Sequence, residues 1–266
     1  MDRVRIDPND LTDPLYRYSR QMLVSRIGRE GQEKLAAARV GLVGCGALGS
    51  VIANHLVRAG IGRVRIADRD YPELHNLHRQ VLFTEDDVAR RTPKVEAAAA
   101  HLRAINSDVS VEPLQVTIDP DTLPAFAAGL DLLVDGTDNF PTRFALNDYA
   151  VGRGMPWVYG GVIGSSGMTM TIIPGDGPCL RCLIRDLPDR EQTPTADVAG
   201  VLNTVVAVIA SVEATEVIKL LVEPEARSRH LLVLDLWDLT FDKLEVARDP
   251  DCVCCGPRVS MGADGR

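Results

Sequence analysis

One stretch, Val40-Gly-Leu-Val-Gly-Cys-Gly-Ala-Leu-Gly49, does most to limit what this chain can fold into. An apolar strand runs directly into Gly44-Cys45-Gly46-Ala47-Leu48-Gly49, and an amphipathic helix follows. The first glycine permits a tight turn, the second lets backbone approach a phosphate, and the third lets the helix pack closely on the strand. Unsatisfied N–H groups at the helix N-terminus then face an anion. Such a strand–loop–helix belongs to an open, mostly parallel sheet that binds a nucleotide. Alone it does not separate NAD or FAD from ATP, and the residues that do lie downstream.

The rest of the chain repeats the alternation. Residues 39–43 read as the first strand, 48–59 as its helix and 63–67 as the second strand, which ends at Asp68. A carboxylate at that strand tip accepts hydrogen bonds from ribose hydroxyls, and Asp70 follows on the same loop. A polar segment, 71–91, contains Asn76-Leu-His-Arg79-Gln80; long segments of this kind in compact folds are often functional. Thr92-Pro93-Lys94 reads as a helix start, with Thr92 as N-cap and Pro93 in the first position. Lys94 then sits where the helix dipole disfavours a cation, which makes sense beside a bound anion. Strands are expected over 109–116, 130–135 and 156–159, with helices between them. The pattern changes after Gly160-Gly161: 167–174 alternates, 184–199 is a Pro- and charge-rich linker, 201–221 is a long apolar helix, and 231–236 and 239–246 are closing strands. The fold class is therefore α/β, a Rossmann-like doubly wound sheet with antiparallel C-terminal strands.

Composition narrows the function classes. A net charge of −8 argues against a general nucleic-acid or membrane-surface binder. The most apolar run, 198–222, is interrupted by Asn203, Glu213, Glu216 and Lys219, so it reads as a buried helix and not a membrane span. The first residues contain no apolar signal core, and a cytoplasmic protein is expected.

Six cysteines in such a chain point to metal or redox chemistry. Cys179/Cys182 and Cys252/Cys255 form two CxxC pairs, a set suited to tetrahedral Zn²⁺. The long separation of the pairs adds only about 1–1.5 kcal/mol of loop closure, against on the order of 10 kcal/mol from a structural zinc site. Four reduced surface thiols or a redox pair are the competing readings. Cys45 fills the glycine loop, and Cys254 has no evident role. Asp138, just past the apolar strand at 130–135, is placed to hold Mg²⁺; equally, Asp138 or Asn139 could cap the next helix. Arg79 and Lys94 supply cations from separate elements, as a triphosphate requires. Arg17 and Arg20 read, on residue type alone, as a solvated helix face. The five histidines show no metal spacing.

Taken in order, Arg17-Tyr-Ser-Arg20-Gln21, the GxGxxG, Asp68-x-Asp70, Asn76-x-x-Arg79-Gln80, Pro93-Lys94-Val95-Glu96, Thr137-Asp138-Asn139 and the two CxxC pairs resemble the MoeB/ThiF family, relatives of the ubiquitin-activating enzymes. The resemblance implies one adenylation domain over 1–266: an N-terminal helical arm (1–35), a nucleotide-binding core (36–175), a zinc, crossover and dimer-interface part (176–256) and a tail (257–266). It implies a homodimer that uses ATP and Mg²⁺ to adenylate the C-terminal glycine of a small ubiquitin-like sulfur carrier. By motif, Gly44, Gly46 and Gly49 floor the nucleotide, with Asp68 on the ribose and Asp70 beside it. Asn76, Arg79, Gln80 and Lys94 surround the phosphates, and Asp138 holds the magnesium. Arg20 reaches the neighbouring subunit's ATP, and the four cysteines hold structural zinc. Many relatives carry a cysteine in the linker where this chain has Ala196. Adenylation alone is thus expected, with sulfur from another protein. Three rival functions fit part of the pattern. An NAD- or FAD-dependent oxidoreductase would leave Lys94, Asp138 and the arginine-rich start without roles. A non-catalytic partner of an activating enzyme would have no use for a full set of ATP-site residues. An enzyme acting on a small-molecule or tRNA-linked carboxylate fits less well with the N-terminal arginines and the paired cysteines.

Overall fold

The computed structural model describes residues 10–187 and 199–256. The expectation attached to Ala196 lies outside the described residues. Eight strands form one sheet in the order β3-β2-β1-β4-β5-β6-β7-β8. These are β1 (Arg39–Val43), β2 (Arg63–Ala67), β3 (Ser110–Leu114), β4 (Leu132–Asp135), β5 (Trp157–Ile163), β6 (Ser166–Ile172), β7 (Leu231–Asp235) and β8 (Thr240–Leu244). The pairs from β3 through β5 are parallel, and β6, β7 and β8 add on antiparallel. Chain order reverses between β1 and β4, and a sheet of this type opens its binding crevice at the carboxyl ends flanking such a point.

Burial explains the strand sequences. β1 and β4 are covered on both faces, so both read as continuous apolar runs. On one face lie α2 (Gly28–Ala37), α3 (Ala47–Ala59), α5 (Lys94–Ile105) and α9 (Asn203–Val222). On the other lie α6 (Leu123–Ala127), α7 (Phe140–Arg153) and α8 (Leu180–Leu183). α3 and α7 each stop at a glycine in the left-handed region, Gly60 and Gly154, which a side chain would disfavour. The N-terminal arm contributes a turn at Tyr16–Tyr18 and α1 (Ser19–Met22), and Tyr18 packs over bare Gly60.

Four local expectations are revised. β5 does not stop at Tyr159 but runs through Gly160-Gly161 to Ile163. The double glycine is strand interior, because a Cβ at Gly160 would collide with the Glu213 carboxyl of α9. The segment 71–91 holds a 3-10 turn at Leu74–Asn76 and the short α4 (Glu85–Ala89), capped by Thr84. α5 begins at Lys94, and Pro93, still extended at ψ 141°, takes the cap position expected of Thr92. Finally, β4 starts two residues late, because the Leu130 N–H still bonds the Ala127 carbonyl in the turn after α6.

Candidate functional site

The glycine loop and the loop after β4 meet at the reversal point. Gly44, at φ 90°, lies so close to Gly136 that a Cβ on it would sit 2.6 Å from the Gly136 carbonyl oxygen. A Cβ on Gly49 would collide with the Gly44 carbonyl, and so the third glycine is required for packing. Gly46, in the cap position of α3, offers no side chain to the helix N–H groups. Those donors are left to a ligand.

The remaining members come from separate elements. Asp68 accepts the Cys45 N–H at 2.7 Å and the Asp70 N–H at 2.8 Å, tying the tip of β2 to the glycine loop. Cys45 is fully buried there, and burial, then the Asp68 charge, hold its thiol protonated. Gln80 is 4% exposed, its Oε1 has no hydrogen-bond partner among the described residues, and its Nε2 lies 3.7 Å from where a Gly46 Cβ would be. Asn76 shapes that segment: its Oδ1 accepts the Glu73 N–H, and its carbonyl accepts the Arg79 and Gln80 N–H groups. Arg79 Nη1 donates to the His75 carbonyl at 3.0 Å. Lys94 is 7% exposed; its N–H donates to the Asp70 carbonyl at 2.9 Å, and its Nζ lies 3.8 Å from Asp70 Oδ2. A buried ammonium in a first helical turn, balanced among the described residues by a half-exposed carboxylate, is costly unless an anion joins it.

The two readings of Asp138 separate here. Asn139 caps α7, its Oδ1 accepting the Thr142 N–H at 3.0 Å, and the exposed Asp138 carboxylate is left over. Arg20 is not brought to this crevice. Its helix packs at the opposite end of α3, where Gln21 Nε2 donates to the Ala59 carbonyl at 3.0 Å. The thirteen residues of α3 span about 20 Å.

Below the Asp138 loop lies a buried network that sequence reasoning missed. Arg143 Nε donates to Asp135 Oδ2 at 2.9 Å, and its Nη2 donates to the carbonyls of Thr137 at 2.7 Å and Gly160 at 2.9 Å. Burial pushes the Asp135 carboxyl up, and Arg143 and Thr137 pull it back. Glu213 reaches the sheet from the other face, fully buried, and neither carboxyl oxygen has a hydrogen-bond partner among the described residues. Burial and then the nearby Asp135 charge push its carboxyl well above the usual range. Its one sequence signal was a break in an apolar run.

The four cysteines also converge. Cys179, Cys182, Cys252 and Cys255 place all their sulfurs within 4.8 Å of one another. Sulfur separations of 4.0, 3.6 and 3.4 Å bracket the roughly 3.8 Å edge that tetrahedral Zn–S bonds of about 2.3 Å would impose. Burial opposes ionisation of Cys252, but the Cys255 and Cys254 N–H groups and adjacent thiols pull it down to about 7. The Asp249 N–H points at the Cys182 sulfur at 3.5 Å. Asn147 joins the cluster to α7, accepting the Leu180 N–H at 2.9 Å and lying 3.2 Å from the Cys254 sulfur. A separate groove of about 420 Å³ between β6, β7 and α9 contains none of the site residues, and its Lys219, Arg227 and Arg229 already pair with acids.

Known proteins resemble this chain along most of its length. The ThiF family matches residues 18–254. This chain belongs to the ThiF family. A SAMP-activating enzyme E1 of Haloferax volcanii is 41% identical over 243 residues, covering 91% of this chain and 89% of the relative. A sulfur carrier protein ThiS adenylyltransferase of Bacillus subtilis is 43% identical over 248 residues, covering 91% and 72%. Among solved structures, Escherichia coli MccB with ATP superposes with a TM-score of 0.78 at 26% identity, over 91% of this chain and 75% of MccB. The ThiF fold is thus the α/β sheet with antiparallel C-terminal strands described above. Among the described residues, no helix is long and apolar enough to cross a membrane.

Proposed function

We propose that this chain is an adenylyltransferase that activates the C-terminal glycine carboxylate of a small ubiquitin-like sulfur carrier, with ATP as co-substrate. The observation that carries the reading is a convergence on one crevice. An uncapped α3 N-terminus, an unpartnered Gln80 carboxamide and a buried Lys94 meet there, with Asp138 on the adjoining loop. The relatives named for carrier activation supply the substrate class.

In this reading Gly44, Gly46 and Gly49 floor the phosphates and Asp68 binds the ribose. Arg79 and Gln80, on a turn shaped by Asn76, surround the triphosphate together with Lys94 from the start of α5. Asp138 would hold Mg²⁺, which neutralises phosphate charge when bound. A carrier carboxylate oxygen attacks the α-phosphorus, the bond to the bridging oxygen breaks, and pyrophosphate leaves. No general base is needed, because the nucleophile is already ionised. The chain's task is to hold two anions together and to stabilise the departing charge.

The placement of Arg20 supports a homodimer. The arginine sits at the wrong end of its own α3, so only a second copy could bring it to the phosphates. The four-thiol cluster would hold structural zinc, with no position left for water or substrate. Residues 184–199 contain no cysteine, which supports a separate sulfur donor, and the work would take place in the cytoplasm. The domain is read as one unit over 1–266, with arm (1–35), core (36–175), zinc and crossover part (176–256) and tail (257–266).

The test is ATP–pyrophosphate exchange with purified protein and candidate carriers ending in Gly-Gly. Exchange that requires ATP, Mg²⁺ and an intact Gly-Gly terminus is expected. Tight NAD binding without exchange under any carrier would overturn the reading.

A further inference from the structure

Asp138 is exposed, and the side-chain hydrogen bond it accepts among the described residues is long, 3.5 Å from Asn139 Nδ2. Something else must fix its aim. The residue before it is held at every polar atom. The Thr137 N–H and hydroxyl donate to Asp135 Oδ1 at 2.8 and 2.6 Å, and its carbonyl accepts Arg143 Nη2 at 2.7 Å. That carbonyl belongs to the peptide linking Thr137 to Asp138, and peptides are planar. Holding the oxygen therefore fixes the plane from which Asp138 departs. On the far side, the Asn139 cap fixes the next residue.

Arg143 is itself immobilised. Three acceptors receive its donors, and the Phe140 and Tyr159 rings lie 5.3 Å from its guanidinium carbon. One acceptor is the carbonyl of Gly160, whose bare Cα faces the Glu213 carboxyl. The guanidinium thus ties β4, β5 and the Asp138 loop together at a single point.

We propose that Arg143, backed by Asp135, is a positioning residue for Asp138: it holds the Thr137–Asp138 peptide so that the carboxylate faces the metal that accompanies ATP. This rests on the reading of Asp138 as the Mg²⁺ carboxylate. Arg143 lies buried beneath the loop, where it holds the Thr137 carbonyl and its guanidinium also attracts the Asp138 carboxylate electrostatically. Outer residues that orient a metal ligand are worth roughly 10–100-fold in metal affinity or activity.

The experiment measures ATP binding to the full chain by calorimetry, with Mg²⁺ and with EDTA. Arg143→Lys keeps the buried charge, and the double variant Asp135→Asn, Arg143→Met removes both charges together, so no buried ion is left unpaired. Each should lose roughly tenfold or more of the Mg²⁺-dependent gain in ATP affinity, while the affinity for Mg²⁺-free ATP stays near wild type. Asp138→Ala is the control and should lose that gain entirely. If it does and both Arg143 variants keep the gain, the positioning role is wrong and the Asp138 reading survives. Loss of Mg²⁺-free binding to the same degree would mark a merely structural role and also overturn the inference. If Asp138→Ala keeps the gain, both fall.

Discussion

The nucleotide crevice and the thiol cluster are built on opposite principles. The crevice gathers groups that the folded chain leaves poorly satisfied: uncapped N–H donors, the orphaned Gln80 carboxamide and a buried ammonium in a first helical turn. The cluster gathers four thiols that a single ion would satisfy, beside N–H donors and the Asn147 side chain. The first keeps affinity in reserve for a ligand. The second turns affinity into stability of the chain itself. Substitutions should therefore separate the two, with activity moving at one site and melting temperature at the other.

The largest effect is expected at the cluster. Removing the metal with a chelator, or Cys252→Ser, should forfeit much of the roughly 10 kcal/mol that a structural zinc site provides. Calorimetric melting with zinc analysis checks this. An unchanged melting temperature in a demonstrably metal-free protein would break the comparison. Next comes Lys94→Met. It removes a dipole-disfavoured cation, so melting should stay the same or rise slightly, while exchange falls by roughly 10²–10³-fold. A large drop in melting temperature instead would make Lys94 a structural residue.

The smallest effect concerns Glu213, which belongs to neither region. Its carboxyl faces Asp135 on β4, Arg143 on α7 and Tyr159 on β5. Because burial raises its folded value, the folded state keeps a proton that the unfolded state gives up above the ordinary glutamate range. Stability tied to this group is present at low pH and is lost as pH rises toward the raised folded value. Glu213→Gln should flatten that slope, with the variant gaining on wild type as pH increases. Urea midpoints measured from pH 6 to pH 9 check the sign.

Much of the fold was legible because periodicity and punctuation agree in the parallel half. Apolar runs mark two-sided burial, and the glycines and Asp68 mark the strand tips. Gly160-Gly161 misled for a physical reason: glycine usually ends a strand, but here it makes room for a side chain from another layer. Asp135, Arg143 and Glu213 were illegible as a group because they meet across the sheet, and no spacing along the chain records that meeting. Lys94 announced itself by being in the wrong place on its helix. The choice between Asp138 and Asn139 as cap needed coordinates, since neighbours in sequence compete for one role.

α7 begins at the Asn139 cap next to Asp138, carries Arg143 into the buried network, and one turn later presents Asn147 to the thiol cluster. Residues four apart share a helix face, so these contacts set the roll of α7 about its own axis from its cap to its middle. The helix therefore works as a torsion bar. A cluster that loosens would free the roll, and the Asp138 loop at the start of α7 would lose its reference. The thiol cluster and the Asp138 loop would then be linked through a rigid rod, although they share no side chain.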